Sequence, residues 1–211
     1  TSILMQSKSD RFENGLGNDS GELGHNIMDH HFLVGAQGKV DGFDDKYYKG
    51  RKPNGIYIPR FRNLGGASDM KDFKRGYGYQ GGAGRGDYEN LVAEASFGKE
   101  FKDGMLKPGG WNMNMLAFGE ILPYHDNKMI LDYDKLDQWG LPTVTFDAEI
   151  RDNEIKMRKD MQDQAVQMLE KSGARDIEPY DRPYAIGLGI HEMGTARMGS
   201  NPITSVVNEY Y

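Results

Sequence analysis

Apolar and polar positions alternate with a period of two through most of the middle of this chain, and follow a helical period in one long stretch. His31 to Val40 reads as a strand. Gly55 to Phe61 (GIYIPRF) puts Ile56 and Ile58 on one face and Tyr57 on the other. Pro59 lacks a backbone N–H, which places that strand at a sheet edge or a bulge. Arg75 to Gln80, Asn112 to Leu122 and Lys128 to Leu131 also alternate, and Leu141 to Phe146 follows a Trp139–Gly140 turn. Short strands joined by local turns predict an antiparallel sheet. From about Ala148 to Lys171, Ile150, Met157, Met161, Ala165 and Met168 recur at helical spacing, flanked by Ile155, Val166 and Leu169. Asp147 or Asp152 is expected to cap this helix, and Gly173 to stop it. Methionine fills irregular gaps, so the stripe predicts packing against the sheet and not a cofactor contact. The expected class is α+β, an antiparallel sheet with helices on one face.

Outside these elements, Ser2 to Met5 resembles the tail of a helix, and Asn14 to Gly21 is turn chemistry throughout. Asp41 to Asn54 is a charged excursion carrying two tyrosines. Composition narrows the class further. Apolar residues make up 37% of the 211, and the mean hydropathy of −0.71 is low for a self-sufficient core. The 12 Tyr, 9 Phe and 2 Trp offset this, because aromatics bury much area in few positions. The 28 Gly show no repeat, which points to turns and close backbone approaches. With a net charge of −6 and no basic block, a nucleic-acid partner is not expected. No apolar run is long enough for a membrane span. Cysteine is absent, which excludes disulfides and Cys-ligated zinc. That absence leaves the compartment open between cytoplasm and periplasm.

Four constellations carry possible chemistry. Gly76 to Gly81 (GYGYQG) matches a dinucleotide-loop spacing, but a charged segment precedes it and more glycines follow. A phosphate loop needs an apolar strand before and a helix after, so a strand is the expected reading. His25, Asp29 and His30 are ligand-type side chains close in sequence, with no further ligand nearby; a hydrogen-bonded histidine pinning the turn is expected there instead of a metal. Tyr124 to Asn127 reads as a turn between strands, with His125 either a turn residue or a substrate contact. Glu120 is the one carboxylate of its alternating strand, facing either solvent or substrate. His191 ends an apolar, Gly-rich approach (Ala185 to Ile190) read as a strand, and opens HEMGTARMG, where glycines let a flat ligand near the backbone.

HEMGTARMG, followed by Asn201-Pro202 and Ser205-Val206-Val207, closely resembles the carboxy-terminal segment of the glucose–methanol–choline (GMC) flavin oxidoreductases. Ser20 to His30 (SGELGHNIMDH) is similar to a second stretch of that family, and Thr1 to Ser7 resembles the end of its second signature. The resemblance implies a fragment lacking the amino-terminal Rossmann FAD domain, in which residues 1–30 return from that domain, 31–183 form the substrate domain and 184–211 start the active-site segment. Ser205 to Val207 would then open a new strand. It further implies FAD as cofactor, His191 as the catalytic base, and Gly194 and Thr195 beside the flavin. Glu120 and His125 would be substrate contacts. The expected function is hydride transfer from an alcohol or sugar CH–OH group to flavin N5, with an electron acceptor whose identity the resemblance does not fix. The alternatives are a carbohydrate-binding or a structural sheet domain without redox activity.

Overall fold

A computed structural model describes residues 1–45, 55–65, 72–85, 98–105 and 108–210. The chain divides into two compact units. One comprises 32–119 and 156–183, the other 1–31, 120–155 and 184–211.

The first unit holds a five-stranded sheet made from β1 (His30–Val40), β2 (Gly55–Ile58), β3 (Tyr77–Arg85), β4 (Trp111–Glu120) and β7 (Arg175–Asp181). The strand order is β2-β3-β4-β1-β7, and the pairs β2/β3, β3/β4 and β1/β7 are antiparallel. The short β2 lies at the edge and stops before Pro59, as its missing N–H requires. Its alternation does not translate into burial, since Ile56 and Tyr57 are both exposed. The GYGYQG segment falls almost wholly inside β3, with Gly78 opposite Phe118 and Gly81 opposite Met115. It is a sheet segment, and the strand runs on to Arg85.

The long helix α3 (Asp152–Lys171) follows the short α1 (Ser2–Gln6) and α2 (Lys99–Met105) in chain order. Its Met157, Met161, Ala165 and Leu169 form one buried cluster with Val34 and Ala36 of β1, Tyr77 and Tyr79 of β3, and Met115 and Ala117 of β4. The methionine stripe is therefore core packing. Leu169 takes the fully buried place expected of Met168, which only borders the cluster, while Ile155 is exposed. Tyr79 uses its hydroxyl on the Met161 carbonyl at 2.5 Å, so the sheet is tied to the helix by a hydrogen bond as well as by area. Gly35 lets β1 meet β4 closely: a Cβ there would lie 1.8 Å from the Met115 carbonyl oxygen.

The helix starts four residues later than expected, and neither Asp147 nor Asp152 caps it. Asp147 ends a strand and Asp152 is the first helical residue. The capping contact comes from Glu154, whose carboxylate accepts the Arg151 N–H at 3.0 Å, the backward half of a capping box. At the other end Gly173 (φ +82) closes a Schellman turn, its N–H on Glu170 O and the Ala174 N–H on Leu169 O, each at 3.0 Å.

The second unit contains a two-stranded antiparallel ladder, β5 (Lys128–Leu136) and β6 (Pro142–Asp147). Asp137 shapes the connecting turn by accepting the Trp139 and Leu141 N–H groups at 2.8 and 2.9 Å. Ile27, Ile121 and Ile186 form this unit's buried apolar cluster, bordered by Phe146, Ala148 and Ile150. Two expectations fail here. Ala185 to Ile190 is turn and bend, not strand, and Ser205 to Val207 contributes a single parallel bridge, Val207 to Met198. In both places glycine and turn residues interrupt any longer ladder. Of the charged excursion Asp41 to Asn54, positions 46–54 lie outside the described residues.

Candidate active site

Glu120, His125, His191, Gly194 and Thr195, together with His25, Asp29 and His30, lie in the second unit. The organising segment is Gly24 to His30, which has backbone partners on both sides. Toward one side, Ile27 N–H donates to Asn127 O at 3.0 Å and Gly24 O accepts from Met129 N–H at 2.8 Å. Toward the other, Met28 and Met193 exchange N–H···O bonds of 2.8 and 3.0 Å, and Gly24 N–H donates to Thr195 O at 2.8 Å. The HEMGTARMG loop is thus bonded to the SGELGHNIMDH segment, although the two stand at opposite ends of the chain. Gly194 is what permits the approach. It sits at φ +96, and a Cβ would fall 1.9 Å from the Asn26 carbonyl oxygen.

Thr195 Oγ1 lies 2.7 Å from Thr1 Oγ1, so its hydroxyl faces a protein partner. His191 is exposed and adopts φ +64, a left-handed conformation that is uncommon for a side chain of its size. Its ring meets the His30 ring edge-on, with centroids 5.1 Å apart. Along the same stretch of chain Leu188, Ile190, Met193 and Met198 are exposed apolar side chains. An exposed imidazole in a stretch rich in exposed apolar groups suits a flat, largely apolar ligand.

His125 goes elsewhere. Its ring stacks on His25 with centroids 4.2 Å apart, and His25 Nδ1 is 2.7 Å from the His125 carbonyl oxygen. Glu22 bridges this pair to the loop: one carboxylate oxygen is 3.6 Å from His125 Nε2, the other 4.0 Å from Arg197. That second oxygen also accepts from the Asn26 amide at 2.6 Å. Glu120 is exposed at the end of β4, one residue before Ile121, whose N–H donates to Asp29 O at 3.3 Å. Backbone bonds at Met193 and Thr195 thus hold the loop that carries His191 and Gly194, while His125 stacks on His25 and reaches the same loop through Glu22 and Arg197.

Two carboxylates, Asp29 and Glu154, have roles that the sequence did not indicate. Asp29 is buried at 3% exposure. Its carboxylate accepts the N–H groups of Gly187 (3.1 Å), Gly189 (3.0 Å) and Ile190 (3.0 Å), together with its neighbour His30 (2.7 Å). These four bonds use the acceptor sites that metal ligation would need. Glu154 is fully buried and accepts from Leu122 N–H at 3.1 Å and from the Tyr124 hydroxyl at 3.1 Å. Burial, reinforced by this carboxylate, pushes the Tyr124 hydroxyl up to about 12. The one signal for Asp29 was a lone carboxylate inside the apolar Ile27–Met28 stretch; nothing in the sequence names its partners.

Comparisons with known proteins find relatives of this chain. The family pattern described as GMC oxidoreductase matches residues 123–211. The chain is 29% identical over 219 residues to 2-methyl-1,2-propanediol dehydrogenase of Mycolicibacterium austroafricanum, covering 99% of this chain and 38% of that protein. It is 26% identical over 214 residues to the fructose dehydrogenase large subunit of Gluconobacter japonicus, covering 99% of this chain and 37% of that one. The chain thus spans less than two-fifths of the length of these relatives. The chain is thus similar to the GMC oxidoreductases over its carboxy-terminal part, and to these two dehydrogenases along nearly all of its length.

Proposed function

We propose that this chain is the substrate-domain and active-site part of a FAD-dependent oxidoreductase acting on the CH–OH group of an alcohol or sugar. The observation that carries the reading is the state of His191: an exposed imidazole on a loop that is fixed by backbone hydrogen bonds and carries exposed apolar side chains. Those surroundings fit an isoalloxazine ring, with Met193, Gly194 and Thr195 lending its contact surface. In this proposal the ADP half of the cofactor is held outside this chain, since GYGYQG is spent in the β3 ladder.

The chemistry a bound flavin supplies is acceptance of a hydride at N5. The chain's part is to hold the alcohol and take its hydroxyl proton. A hydroxyl is far too weak an acid to ionise unaided near neutral pH, and histidine is the side chain suited to receive its proton there. His191 Nδ1 or Nε2 would accept that proton while the loop keeps the ring in place. Glu120 and His125 are proposed as further contacts of the substrate from the same unit. The relatives' names, a diol dehydrogenase and a fructose dehydrogenase subunit, support a hydroxylated substrate.

The test is spectroscopic. The full-length protein should purify with a visible flavin spectrum, and anaerobic addition of a polyol or ketose panel should bleach it with at least one member. A preparation that binds sugars but holds no flavin would favour the carbohydrate-binding alternative.

A further inference from the structure

We propose that Asp29 is the positioning residue for His191, acting as a buried anion on which the preceding loop is wound. Ala185 to Ile190 belongs to no helix or strand, so its amides need partners from elsewhere. Three of them converge on one carboxylate: Gly187 and Gly189 donate to Oδ2, and Ile190 donates to Oδ1. The adjacent Gly189 and Ile190 N–H groups turned toward one anion resemble a nest, and the Gly187 N–H extends the hold on the backbone by two residues. The next residue is His191, held at φ +64, a conformation that persists only where its surroundings impose it.

The fit leaves no slack. A Cβ on Gly189 would lie 2.5 Å from both Asp29 carboxylate oxygens and 2.7 Å from the Tyr184 hydroxyl. Tyr184 in turn bonds the His30 carbonyl, and Asp29 Oδ1 accepts the His30 N–H. One carboxylate therefore sets the backbone at both histidines whose rings meet at 5.1 Å. With its acceptor positions filled by four amides, Asp29 acts through the loop and not on the reacting atoms.

The proposal rests on His191 serving as the base, and the test separates the two ideas. In the full-length FAD-loaded protein, Asp29→Asn turns one acceptor oxygen into an NH2 donor facing other donors. Hydrogen exchange of the peptide spanning Gly187 to His191 should speed up at least tenfold, with exchange in α3 unchanged. Flavin reduction should slow by about ten- to a hundredfold, and Asp29→Asn/His191→Ala should be no slower than His191→Ala, because residues acting through one another are not additive. Unchanged exchange, or losses that multiply in the double variant, would overturn the proposal. Faster exchange together with normal reduction in His191→Ala would refute the base reading and support the clamp alone. Gly189→Ala presses on the same contact from the loop side. If Asp29→Asn fails to fold, the same exchange and cycle measurements on Gly189→Ala decide between these outcomes.

Discussion

Replacing Gly194 with Ala attacks the junction between the two signature segments, and its cost can be worked from the coordinates. The backbone at φ +96 disfavours any side chain, a penalty of about 1–2 kcal/mol for an L-residue. The new methyl would also stand 1.9 Å from the Asn26 carbonyl oxygen, so one strand of the junction must move by more than an ångström. The reciprocal Met28–Met193 bonds and the Gly24–Thr195 bond are the contacts such a shift breaks. Three backbone hydrogen bonds at about 0.5–1.5 kcal/mol each bring the total to roughly 3–6 kcal/mol. Single domains have about 5–15 kcal/mol of stability, so this is a large loss. Gly21→Ala is the internal control: it shares the positive φ (+76) but has nothing within 4 Å of the added carbon. Urea unfolding followed by circular dichroism should place Gly194→Ala at least 2 kcal/mol below Gly21→Ala. Equal destabilisation would show that backbone strain alone accounts for the glycine, and that the close approach at Asn26 is wrong.

Two further outcomes follow from Glu154 and its neighbours. Glu154→Ala strands the Arg151 and Leu122 amides and should cost about 3–5 kcal/mol, with Glu154→Gln recovering part of it; a loss under 1 kcal/mol by denaturant titration would contradict the buried network. Tyr124, pushed up to about 12 against an unfolded value near 10, should keep its proton in the folded protein above pH 10. Its folded pKa is the higher one, so its stabilisation is complete below about pH 10 and is lost as pH rises toward 12. A tyrosinate absorbance titration of wild type minus Tyr124→Phe checks this, and a difference transition centred near pH 10 would refute it.

Much of the sheet and helix was legible because burial writes itself into period. The Met157, Met161, Ala165 stripe and the β1, β3 and β4 alternations all point at one core. β7 was not legible: Arg175 to Asp181 (RDIEPYD) is charged along its length and carries Pro179, the composition of an edge strand. The helix start was misplaced because Glu154 reads as an ordinary surface glutamate, whereas it is fully buried. At the site, HEMGTARMG announced itself by residue type. What holds it did not, because Asp29 and Ile190 are 161 positions apart and a pairing at that distance leaves no local pattern. His191 also lies at the end of a turn and not of a strand, since its amides are claimed by a side chain where a ladder was expected.

The role proposed for His191 is to take the substrate hydroxyl proton. Rapid anaerobic mixing of the full-length protein with its alcohol or sugar substrate measures the step directly, with flavin content matched between wild type and His191→Ala. Flavin reduction in the variant should be slower by about two to four orders of magnitude, the usual contribution of a general base. Reduction at a near wild-type rate would contradict the account and move the search for the base to His125 and the cluster it forms with Glu22 and His25.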